Sequence, residues 1–216
     1  MNLSALALLM LIMFSSLSFS VNAAEGDRIF GVYANVFGAS GQPSGDVLGI
    51  GFMTQYQLKN LWFLDIELIQ TEADFDNPLK VLELAQDESI TSTVNAVYNS
   101  TIVMLRLGKI IKTSNPVFDA YWSAGLGINT IDVDTITGPL LEGESFKVAT
   151  DAQTETLIGL SGGIRQHLND NWDINYALRI NYHVADWTVK DIISSTSKKI
   201  DNYVLYGVMI GVERRF

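Results

Sequence analysis

Residues 202–216 read NYVLYGVMIGVERRF. Val204, Tyr206, Val208, Ile210 and Val212 fall on one phase of this stretch; Leu205, Gly207, Met209, Gly211 and Glu213 fall on the other. Successive side chains of a strand point to opposite faces, so this period predicts a strand with one bulky apolar face and one smaller face ending in a charge. An aromatic residue, Phe216, follows it.

The same rhythm recurs upstream. Phe30, Val32, Ala34 and Val36 oppose Gly31, Tyr33 and Asn35; Leu48, Ile50, Phe52 and Tyr56 oppose Gly49, Gly51, Met53 and Gln55. Trp62, Leu64, Ile66 and Leu68 face Phe63, Asp65, Glu67 and Ile69. A strand over roughly 93–112 sets Val103, Leu105 and Leu107 against Ile102, Met104, Arg106 and Gly108. The next sets Phe118, Trp122, Leu126 and Ile128 against Asp119, Tyr121, Ser123, Gly125, Gly127 and Asn129. Ile158, Leu160 and Ile164 then oppose Glu155, Gly159, Ser161, Gly163 and Arg165, and Trp172, Ile174, Tyr176, Leu178 and Ile180 oppose Asp173, Asn175, Ala177, Arg179, Asn181 and His183. With 202–216, eight strands are predicted.

The connections alternate long and short. Long ones fall at 39–45, 74–91, 132–150 and 190–199; short ones at Lys59-Asn60, at 113–116 and at Asn169-Asp170-Asn171. Such spacing predicts a meander of hairpins with its short turns at one end. Pro43, Pro78, Pro116 and Pro139 all fall in predicted connections, as an unbroken ladder requires. Residues 79–85 could form a helical turn or two within their loop.

The chain has 216 residues, is 48% hydrophobic and 18% charged, and is long enough for one well-cored domain. It lacks cysteine, which excludes disulfides, thiolate metal sites and cysteine nucleophiles. A net charge of −10 argues against a nucleic-acid partner, which needs a basic face. Residues 1–23 hold no charged residue, 3–14 are almost wholly apolar, and Val21-Asn22-Ala23 precedes a plausible cut before Ala24. This reads as a signal peptide followed by one domain, 24–216, although its n-region carries no Lys or Arg. No later stretch is long and apolar enough for a membrane-spanning helix.

Alternation alone does not decide which face meets solvent, since a soluble lipocalin-type barrel also alternates. Two features place the apolar phase outside. The polar phase also holds the glycines, and an eight-stranded barrel has an interior only just wide enough for side chains. Aromatics recur beside the short turns, at Tyr56, Trp62, Phe118, Trp172 and Phe216, where a lipid-facing barrel carries an interfacial girdle. The fold class predicted is an all-β, eight-stranded antiparallel up-and-down transmembrane barrel.

The arrangement resembles the small eight-stranded outer-membrane barrels of the OmpA, OmpX and OmpW type, over essentially the whole chain after residue 23. The resemblance rests on the alternating faces, the short-turn and long-loop asymmetry, and the terminal Phe216. It implies a bacterial outer-membrane location, with short turns toward the periplasm and long loops outside. It also implies surrounding membrane lipid and lipopolysaccharide, and an assembly signal in the last strand and Phe216 for the barrel-assembly machinery. Unlike the full OmpA architecture, no carboxy-terminal peptidoglycan-binding domain is expected.

Asp65, Glu67, Arg106, Asp119, Glu155, Arg165, Asp173, Arg179 and Glu213 all fall on the inward phase. Both signs are present, and buried charge is costly unless paired, so a polar network closing the lumen is favoured over an open pore. Arg106 is expected to pair with Asp65 and Asp119. By phase, arginine at Leu105 or Leu178 should harm assembly more than serine at Gly127, which faces the polar lumen. His183 is the one strand-borne histidine, and His167 is placed in solvent beside a turn. A lipid A deacylase would carry His-x-Ser, but Val184-Ala185-Asp186 follows His183 and the nearest serines, Ser194-Ser195, lie in a loop. Asp74-Phe75-Asp76 and Asp132-Val133-Asp134 are read as a solvated acidic rim rather than a metal site. Gly125-Leu126-Gly127 lacks the strand-turn-helix setting of a nucleotide motif, and no cofactor is indicated. The functional expectation is a non-enzymatic envelope barrel with surface loops. The alternatives are a narrow channel or carrier for small hydrophobic molecules, as in the OmpW type, and a lipid-modifying enzyme centred on His183.

Overall fold

In the computed structural model, the described residues are 26–40, 45–75, 96–133, 136–139, 145–149, 153–191 and 197–216. The expected signal peptide, the possible helical turn at 79–85, and Ser194-Ser195 lie outside them.

Twelve strands are present among these residues. They are β1 (Arg28–Ser40), β2 (Gly45–Gln57), β3 (Trp62–Phe75), β4 (Ala96–Lys112), β5 (Phe118–Val133), β6 (Ile136–Pro139), β7 (Ser145–Ala149), β8 (Gln153–His167), β9 (Trp172–Val184), β10 (Trp187–Asp191), β11 (Ser197–Ile200) and β12 (Tyr203–Arg215). Eight of them close into a barrel in the ring order β1-β12-β9-β8-β5-β4-β3-β2, with every neighbouring pair antiparallel.

The other four, β11-β10-β7-β6, form a small sheet at the long-loop end. This corrects the expectation of plain loops at 132–150 and 190–199. It also moves Pro139 from a connection into a strand. β6 is an edge strand of its sheet, which is where a residue without an N–H is tolerated.

Register partners trace the stagger. Going once round from Asp65, through Arg106, Gly125, Gly159, Asn181, Leu205, Ala39 and Gly45, the path returns to β3 at Phe75, a shift of ten residues. For ordinary strand spacings this gives a tilt of about 40° and a backbone radius of about 8 Å. So narrow a tube is filled by its own side chains.

Burial follows the sequence phases. β1 reads exposed-buried in strict alternation over most of its length, as do β8, β9 and β12. The exposed phase is the apolar one: Leu178 is 68% exposed, whereas its neighbour Arg179 is 3% exposed. An apolar exterior of this kind is stable only in lipid, and closure leaves no barrel strand with an unpaired edge.

The short turns have local causes. Residues Lys59–Leu61 make one 3-10 turn in which Asn60 takes a left-handed φ of 58°, a conformation Asn visits more readily than most residues. Asn169 accepts hydrogen bonds at Oδ1 from the backbone N–H groups of Asn171 and Trp172, at 2.9 and 3.0 Å.

Candidate functional site

All nine inward charged residues named from the sequence are buried, each at 5% exposure or less. They separate into layers along the lumen.

The central layer is built on Glu67. Arg106 donates to it from Nε at 2.9 Å, and Arg179 donates from Nη2 at 2.5 Å and Nη1 at 3.2 Å. β3 and β9 stand four places apart in the eight-strand ring, so the Arg179–Glu67 pair crosses the full width of the lumen. Arg106 also donates from Nη2 to the Asn181 Oδ1 at 3.2 Å. Its length is accommodated because Gly159 lies alongside, where a Cβ would fall 2.9 Å from Nη2. The Arg179 guanidinium also lies 4.9 Å from the centre of the Tyr33 ring, a cation–π contact.

The expected pairing of Arg106 is therefore corrected. Asp65 is its direct cross-strand partner in register, but the carboxylate it bonds is Glu67, one inward position further along β3. Asp119 lies a layer below and is bonded elsewhere.

The layer toward the short turns is built on Arg165. It donates from Nε to Glu213 at 2.5 Å and from Nη2 to the Gln55 Oε1 at 2.9 Å. β8 and β2 are also four places apart, so this bridge is a second full crossing. Asn175 donates to Glu213 and accepts from the Tyr121 hydroxyl at 2.8 Å. Asp173 stands 4.0 Å from Arg165.

At the short-turn rim, His167 corrects its expectation. It is the last residue of β8, only 19% exposed, with Nδ1 at 2.7 Å from Asp173 and Nε2 at 3.0 Å from Asp119. Lys112 reaches Asp119 at 2.7 Å and Arg215 reaches Asp173 at 2.9 Å. A period-two reading places His167 on the inward phase, and that signal was available; its position beside a turn concealed it.

Toward the long loops, Glu155 gathers a cluster of polar side chains. His183 Nδ1 lies 2.9 Å away, the Tyr203 hydroxyl donates at 2.8 Å, and Asn129 Nδ2 donates at 3.3 Å. The His183 ring stacks on Tyr203 with centroids 4.4 Å apart, and it is completely buried. The Glu155 contact orients the imidazole, but no hydroxyl is hydrogen-bonded to the ring among the described residues. Between this cluster and Glu67, Ile69, Ile102, Met104 and Leu157 form an apolar layer.

A cavity at the lumen centre has a volume of about 10 Å³ and is lined by Gln55, Asp65, Glu67, Arg165 and Arg179, among others. That is space for about one water molecule. Gly127 is likewise tighter than its phase suggests: a Cβ there would meet Met104 Cγ at 2.8 Å and the Val103 carbonyl oxygen more closely still. Serine is polar enough for the position and too large for it.

Outside the lumen, Lys199 donates to the Asp186 carboxylate at 2.6 Å, which holds that carboxyl below its ordinary range. Both side chains are well exposed, so the pair adds little stability. Of the acidic-rim residues, Asp74 and Phe75 belong to β3 and Asp132 is exposed on β5, while Asp76 and Asp134 lie outside the described residues. No cluster of three metal-ligating side chains occurs among the described residues.

Comparison with protein-family profiles and with curated protein sequences finds no match. Solved structures do match in shape. Neisserial surface protein A is 16% identical, with a TM-score of 0.55, the match covering 89% of this chain and 99% of that one. The outer membrane protein OprG of Pseudomonas aeruginosa is 14% identical, with a TM-score of 0.55 and coverage of 89% and 96%. A major outer membrane protein of Thermus thermophilus is 13% identical, with a TM-score of 0.57 and coverage of 89% and 100%. An apolar belt on a closed antiparallel ring, a lumen filled by ion pairs and these likenesses agree: the chain has the fold of the small eight-stranded outer-membrane β-barrels.

Proposed function

We infer that this chain is an integral barrel of a bacterial outer membrane whose lumen does not conduct and whose role is non-enzymatic. It contributes to the envelope and presents its long-loop end, including the β6, β7, β10 and β11 sheet, to the outside. On this reading residues 1–23 are removed on export, and β12 with Phe216 carries the assembly signal.

The observation that carries the reading is the pair of full crossings, Arg179–Glu67 and Arg165–Gln55. Opening a passage would strand buried charges of both signs, at several kcal/mol per unpaired ion. A carrier of small hydrophobic molecules needs an apolar passage, and the centre of this lumen is charged and filled. Catalysis at His183 needs access to its ring, which burial denies. Planar-bilayer recording tests the reading: stable, large conductance steps from purified protein would defeat it, whereas silence with folded protein present supports it.

A further inference from the structure

The outward face carries charge as well as apolar surface, and the two signs are segregated. At the long-loop end the outward positions Asp46, Glu72 and Asp132 are exposed carboxylates. At the short-turn end Arg28 and Arg214 are exposed cations, on the paired strands β1 and β12. The outward phases of β1, β12 and β9 contain no carboxylate, and neither arginine is in an ion pair among the described residues.

Arg214 sits among aromatics. Its guanidinium carbon is 5.5 Å from the centre of the Trp172 ring and 4.8 Å from that of Phe216. Arg28 is joined to Phe216 by two backbone hydrogen bonds, which brings the two cations to one corner of the rim. Cations flanked by aromatic rings at the edge of an apolar belt lie at headgroup depth.

A second feature begins directly beside them. An apolar hollow of about 490 Å³ on the outer wall is lined by Val32, Ala34, Ile50, Ile174, Ile210 and Val212, with others. Its rows follow the register. Phe30, Arg214 and Trp172 make one outward row; Val32, Val212 and Ile174 make the next; Ala34, Ile210 and Tyr176 make the third. The small side chain of Ala34, between Ile210 and Ile50, leaves the depression.

We propose that the β1–β12–β9 wall is a binding site for an anionic glycerophospholipid of the inner leaflet. Arg214 and Arg28 hold its phosphate, and the hollow centred on Ala34 takes an acyl chain. The hollow decides the source of the phosphate: a free anion would use the arginines and leave the apolar groove idle. The site depends on the barrel being embedded in lipid and is independent of whether the lumen conducts.

The test is native mass spectrometry of the folded protein from micelles holding equal amounts of phosphatidylglycerol and phosphatidylethanolamine. A basic residue near a membrane surface favours an anionic lipid by about fivefold, so a clear excess of bound phosphatidylglycerol is expected. The variant Arg28→Gln/Arg214→Gln should bring the ratio near parity, and Arg214→Lys should keep most of the preference. Ala34→Phe should lower retention of both lipids and leave their ratio unchanged. Lys199→Gln, in the small sheet at the long-loop end and remote from both arginines, should change neither. Parity in the unaltered protein, or an unchanged ratio in the double variant, would overturn the proposal. So would displacement of the lipid by millimolar glycerol 3-phosphate, which would mark a free-phosphate site. Full retention in Ala34→Phe would overturn the assignment of the hollow.

Discussion

Glu67→Gln is the substitution that most directly probes the closed lumen. The central layer holds two acids, Asp65 and Glu67, and two arginines, Arg106 and Arg179, all buried. Glu67 alone accepts three hydrogen bonds from the two guanidinium groups. A glutamine keeps the shape and one carbonyl acceptor but removes the charge, leaving two cations against Asp65. Removing one partner of a buried pair costs about 3–5 kcal/mol, mostly as the penalty of the stranded charge. The expected loss is therefore in that range, read as a shift of the midpoint in equilibrium urea unfolding in micelles, followed by tryptophan fluorescence. Charge balance, rather than the count of bonds, sets the size. The variant Glu67→Gln/Arg179→Met leaves Arg106 facing Asp65, its direct register partner, and should recover part of the loss. A destabilisation by Glu67→Gln below about 1 kcal/mol would refute the argument, because it would mean that water screens the layer and the lumen is open.

Leu105→Arg and Leu178→Arg should each lower stability in liposomes by about 2–4 kcal/mol, since both face lipid. Gly162→Ser should not, because a Cβ at that outward glycine meets nothing closer than 3.8 Å; equal yields for all three would refute the assignment of the faces. Gly127→Ser should reduce folded yield despite its polar surroundings, owing to the crowding by Met104 and the Val103 carbonyl oxygen; a wild-type yield would sink that claim. Asp173→Asn, which touches His167, Arg215 and Arg165, should destabilise more than Lys112→Met, whose side chain is 61% exposed; the same unfolding assay decides the order. Mass spectrometry of membrane-extracted protein should give a chain starting at or near Ala24, and an intact Met1 would remove the signal-peptide assignment.

The faces of the barrel were legible in the sequence because they need only a period of two. Whether Leu178 or Arg179 points outward follows from alternation once the glycines are assigned to the narrow side, and each barrel strand keeps the phase read for it. The number of barrel strands was legible for a similar reason: short turns and long connections interrupt the alternation in turn along the chain. The four short strands beyond the barrel were not. Residues 136–139 and 197–200 are too short and too polar to show a period, and their pairing depends on β7 and β10 being brought together by the barrel beneath.

Partner choice inside the lumen was decided only by tertiary structure. Phase puts Arg106 inward, and neighbouring strands offer Asp65 and Asp119, but bonding depends on the stagger round the ring and on the tilt it imposes. That geometry lets Arg106 reach along β3 to Glu67 and lets Arg179 meet the same carboxylate from the opposite wall. It also turns His167 from a turn residue into a link between Asp119 and Asp173. Strand phase is a local property fixed by each Cα. The distance between two side chains across a closed barrel is a property of the whole ring, and no stretch of the chain carries it alone.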